Sequence, residues 1–220
     1  MKRQETHWVT VGCLAVAMAY LESAVVVYLR AVYGIEDLLR DIRMPPDRFT
    51  FIELGREAST LVMLALIGWI AGRRPQDRIG YAVFAFGVWD IFYYGWLFVM
   101  TGWPETLLDW DLLFLIPLPW WGPVLAPVLI ALLLVAGGVL AVYRKQNGRP
   151  LRFPPSGWIA AVSGTLLALY VFMRDALHAL PEGVDAVTQV KPTVFNWPLF
   201  SLALAGMAFF LLTGLKTRTK

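Results

Sequence analysis

A chain of 220 residues with 58% hydrophobic side chains and a net charge of +3 is more apolar than soluble domains, whose usual share is about 45–50%. Its single cysteine, Cys13, excludes disulfides and thiolate metal cages within one chain. The basic balance does not point to nucleic acid, because the cations gather at one set of span ends and read as topology signals and contacts for membrane lipids.

Six apolar stretches predict spanning helices over residues 8–33, 51–72, 81–100, 121–143, 157–180 and 194–215. They leave only short loops, so residues 1–220 form one all-α, polytopic membrane domain. In the first span, Ala17-Met18-Ala19 resembles a signal-peptide cleavage site. The apolar run continues for about a dozen residues beyond it, so the segment reads as an uncleaved anchor. Ala15, Ala19 and Ser23 form a ridge of small residues suited to close helix packing, and Glu22 borders it.

Ile35, Leu38, Leu39 and Ile42 recur at helical spacing among charged residues before Pro45-Pro46, which predicts a short amphipathic interfacial helix over 35–43. In the second span the uncharged run from Leu61 to Gly72 covers only about 18 Å of a hydrocarbon core about 30 Å thick. Residues 51–60 are therefore also embedded, with Glu53, Arg56 and Glu57; the two acids are four apart and share a face. The third span places Asp90 near its middle, with Tyr93 and Tyr94 one turn on. Residues 106–120 are apolar but rich in proline and tryptophan, which predicts an interfacial or re-entrant segment before the fourth span.

The fifth span carries Arg174, Asp175 and His178 in its last turns, with Gly164 and Ala168 on the face of Asp175. Asn196 stands at the start of the sixth. The even-numbered span ends, with the N-terminus, hold 12 cations against Glu5 and Asp77, leaving 7 cations and 14 acids for the spans and the opposite face. The positive-inside rule then puts both termini in the cytoplasm of a cell with an inner membrane.

Counted along the helices, Glu22, Glu57, Asp90, Asp175 and His178 converge in the outer half of the bilayer, where charged groups are costly unless they line a polar cavity. Carboxylates with an acid–His pair three residues apart are ligand types for a divalent iron, manganese or zinc ion. Asp90, Tyr94 and Arg174 are the candidate catalytic groups of a membrane-embedded, metal-dependent enzyme acting on a lipidic or membrane-soluble substrate. A proton- or cation-coupled transporter is the first alternative, and a noncatalytic subunit of a larger membrane complex the second. A homo-oligomer or a partner in such a complex would complete either one. The sequence lacks nucleotide-binding glycine loops, H-E-x-x-H and a nucleophile elbow.

Overall fold

The computed structural model describes residues 2–35, 39 and 48–216. Most of the expected 35–43 helix lies outside the described residues. Six helices are long and apolar enough to cross a membrane. They are α1 (Lys2–Tyr33), α2 (Arg48–Ala71), α3 (Pro75–Thr101), α4 (Leu125–Gln146), α5 (Pro155–Ala179) and α7 (Trp197–Lys216). A 3-10 turn at Leu180–Glu182 and the short α6 (Val184–Thr188) connect α5 to α7.

Local chemistry accounts for the ends. Proline opens α3 and α5, where its missing N–H would be unpaired in any case. Gly102 closes α3 in the left-handed conformation (φ 75°), and its N–H reaches Phe98 O at 2.8 Å. Asn196 caps α7, its Oδ1 accepting from Leu199 N–H at 3.1 Å, so its polar group serves the helix end.

The segment before α4 departs from the all-helical expectation. β1 (Trp110–Phe114) and β2 (Trp120–Pro123) pair antiparallel, with Trp110 opposite Pro123, Asp111 opposite Gly122 and an irregularity between Leu112 and Phe114. The fourth span consequently begins at Leu125, because residues 121–123 belong to the hairpin. Pro123 and Pro127 cannot donate helical hydrogen bonds, while Val124 N–H and Leu125 N–H turn back to Asp109 O and Leu107 O at 2.9 and 2.7 Å. Asp109 holds that turn, accepting from Glu105 N–H at 2.7 Å and from the Thr106 hydroxyl at 2.7 Å.

The core has two parts. One packs α1, α2 and α3 around Ala15, Ala19, Leu64, Ala85 and Trp89; the other packs α4, α5 and α7 around Ala126, Ala168, Phe172, Phe200 and Ala203. The small ridge of α1 is fully buried, with Ser23 Oγ 2.9 Å from the Tyr93 carbonyl. The face of Gly164 and Ala168 packs on α7, where a Cβ at Gly164 would lie 2.7 Å from Ala203 O.

The two halves meet along α3 and α4 at glycines. A Cβ at Gly138 would stand 2.5 Å from Gly80 O, and one at Gly87 would stand 2.5 Å from Ala131 O. Apolar lipid supplies no hydrophobic drive between helices, so such backbone approach is what dispersion and packing require. Gly138→Ala should therefore cost about 1–3 kcal/mol through overpacking. Gly95, whose added Cβ meets nothing within 4 Å, supplies the control. Gly95→Ala should be neutral or slightly stabilising through helix propensity. Thermal unfolding in detergent compares the two, and equal midpoints would remove the seam's importance.

Candidate functional site

Ionisable side chains gather where α1, α2, α3 and the hairpin meet. α2 brings three of them on successive turns, and α1 answers from the facing surface. The Arg56 guanidinium lies between Glu53, whose Oε2 accepts from Nε at 2.9 Å, and Glu22 of α1. Glu22 Oε2 also accepts from the Thr60 hydroxyl at 3.1 Å. One turn along, both oxygens of the buried Glu57 accept the Leu115 N–H, at 3.0 and 3.1 Å. Glu57 thus joins α2 to the hairpin.

A second latch joins the hairpin to α1. Arg30 Nη2 stands 3.6 Å from Asp111 Oδ1, and its guanidinium carbon lies 4.4 Å from the Trp103 ring centroid. Tyr94 of α3 donates its hydroxyl to the same carboxylate. Asp111 is 2% exposed. Burial raises its carboxyl to about 6, against the opposing pull of the Arg30 guanidinium, the Tyr94 hydroxyl and the Leu112 N–H.

Asp90, in the middle of α3, is buried within electrostatic range of Asp111. Its Oδ2 has no hydrogen-bond donor among the described residues. The cluster borders a cavity of ≈ 100 Å³ lined by Arg30, Glu53, Arg56, Glu57, Tyr93 and Asp111, with apolar walls from α1 and β1. That volume accommodates several waters. Five acids (Glu22, Glu53, Glu57, Asp90, Asp111) thus share two arginines (Arg30, Arg56).

The expected five-ligand set is divided. Glu22, Glu57 and Asp90 belong to this neighbourhood. Asp175 instead accepts from Thr193 N–H at 2.9 Å and from the Thr193 hydroxyl at 3.0 Å. It therefore ties α5 to the chain entering α7. His178 is exposed on α5, which packs chiefly on α7 and the hairpin. Arg174 makes no ion pair among the described residues, and its expected place beside the acids is taken by Arg30 and Arg56. Glu22 and Glu57 already have donors. Among the described residues no three His, Cys, Asp or Glu side chains group to hold a metal ion.

Of the expected catalytic groups, Asp90 and Tyr94 lie at the cluster. Arg30, Asp111 and Thr60 were not expected there. Arg30 follows Ser23 by seven residues and so shares the buried face of α1, which is the signal that could have found it. Asp109-Trp110-Asp111-Leu112 alternates polar and apolar, a strand pattern brief enough to be obscured by the surrounding prolines. No protein-family model, curated protein or solved structure matches the chain.

The Arg30–Asp111 pair gives a direct test. Removing one partner of a buried pair leaves the other charge unanswered, so Arg30→Ala at neutral pH should cost about 3 kcal/mol. Adding Asp111→Asn to it should restore most of that loss in denaturant unfolding. The raised Asp111 carboxyl favours the fold when protonated, so its contribution is complete below pH 3.8 and is lost as pH rises through about 6. Asp111→Asn should flatten the stability profile over that window; an unchanged slope would show that another group governs it.

Proposed function

We propose that this chain, whose six apolar helices are consistent with an integral membrane protein, is a small proton-coupled membrane transporter in which the Asp90–Asp111 pair is the protonation site. The observation that carries this reading is the donorless Asp90 oxygen, buried at mid-helix beside a second carboxyl. Desolvating a carboxylate without a donor or cation is costly, and the cost is relieved when the group takes a proton. The neighbouring arginines are engaged by Glu22, Glu53 and Asp111, so they do not neutralise Asp90 directly. The cavity beside Asp111 and Tyr93 supplies room for the water through which a proton would travel.

The enzyme expected from the sequence needs its ligands in one place, whereas Asp175 is engaged by Thr193 and His178 is exposed. Transport needs only that a buried acid charge and discharge while the surrounding helices alter their contacts. Two latches, Glu57 to Leu115 and Arg30 to Asp111, are suited to that alteration because each joins the hairpin to a different helix.

The orientation that goes with this reading keeps both termini and the basic loops in the cytoplasm and opens the acidic cluster outward, following the positive-inside rule. In a Cys13→Ser background, cysteines placed at Asp77 and at Glu182 should label from opposite sides of intact membranes. Labelling of both from one side would refute the six-span topology.

Proton coupling is tested in liposomes on a solid-supported electrode. A pH step should produce a transient current with the wild-type chain, absent with Asp90→Asn and retained with Asp175→Asn. Infrared difference spectra across the same step should show a carboxyl band that Asp90→Asn removes. A wild-type chain with neither signal would end the proton reading.

A further inference from the structure

At the opposite end of the bundle from the hairpin, a cleft of ≈ 520 Å³ lies where α3, α4, α5 and α7 come together. Its lining is apolar apart from Gln76 and Thr165, and Gln76 spends its amide on Ala141 O at 2.7 Å. Gly80 and Gly137 are among its lining residues. Along α4 the lining runs from Ile130 to Ala141, about 16 Å at 1.5 Å per residue. One leaflet of a hydrocarbon core about 30 Å thick is about 15 Å deep.

The mouth differs from the interior. Phe153 stacks on Phe210 at 3.8 Å, and Trp158 leans on the same ring at 5.0 Å. Of these rings, Trp158 is of the type that settles at headgroup depth. Arg152, exposed, lies between the lining residues Leu151 and Phe153 in the chain, and Arg149, also exposed, lies two residues before Leu151; Arg73 and Arg74 come just before the lining residue Gln76. Asp77 follows Gln76 directly in the chain. The order from inside out is thus apolar channel, aromatic ring, cationic rim.

We propose that this cleft binds one acyl chain of an anionic phospholipid, whose phosphate is held by Arg149 and Arg152. The length, the apolar lining and the rim charge each match a different part of such a molecule. A zwitterionic lipid would satisfy the channel but not the rim. The site is independent of the Asp90 cluster and of which way the protein faces.

The full chain, reconstituted in nanodiscs with equal phosphatidylglycerol and phosphatidylcholine and then released into detergent, should retain a single phosphatidylglycerol in native mass spectra. Each arginine near a membrane surface favours an anionic lipid by about fivefold, so R149Q/R152Q should reduce the preference by about 25-fold. Thr165→Trp, and separately Ala161→Phe, should block the channel and abolish retention while both arginines remain. Leu166→Trp, on the exposed face outside the cleft, should retain lipid as the wild type does. Equal retention of both lipids by the wild type would overturn the proposal. So would an unchanged preference in R149Q/R152Q, or undiminished retention in a folded channel-blocking variant.

Discussion

Charge carried into an apolar bundle has to be answered from a neighbouring element, and that requirement ties α1, α2, α3 and the hairpin into one unit. α1 and α2 touch little directly, yet Glu22 and Arg56 fix their relative position. Glu57 and Arg30 do the same for the hairpin, each from its own helix. Buried ion pairs of this kind add modestly to net stability, because desolvation offsets most of the Coulombic gain. They discriminate strongly between arrangements, since every misplacement leaves a charge unanswered. Asp90 is the place where the answer is incomplete, and a functional reading begins there for that reason.

The junction between the halves follows another rule. α3 and α4 approach through Gly80, Gly87 and Gly138, so their association depends on dispersion between backbones that no side chain separates. Gly80, one of these glycines, also lines the apolar cleft on its flank. One end of the molecule is thereby acidic, polar and roofed by strands. The other carries the apolar cleft, with arginines nearby in the chain.

The spans were legible in the sequence because an apolar run long enough to cross a bilayer has few other readings. The small ridge of Ala15, Ala19 and Ser23 was legible too, and it is buried as its spacing implies. Depth along each helix could be counted, so Glu22, Glu57 and Asp90 were placed together. Azimuth between helices could not be, because it depends on which helices are neighbours. That is why depth alone sets Asp175 and His178 at the level of Glu22, Glu57 and Asp90, although Asp175 is engaged by Thr193. The hairpin itself was obscured because its strands are short and its prolines suppress any clear periodicity.

The hairpin also bears on the order in which the protein is assembled. Two strands cannot satisfy their own edges, and an unpaired N–H facing hydrocarbon is prohibitively costly. The Leu115 N–H is met by Glu57 of α2, and the Asp111 carboxylate by Arg30 of α1; both helices precede the hairpin in the chain. Its other face, at Gly122, is covered by Phe172 of α5, which is synthesised later. A nascent chain halted after α4 would therefore already possess the groups that seat the hairpin. The first half can be read as a template, and the second as the lid that shuts upon it.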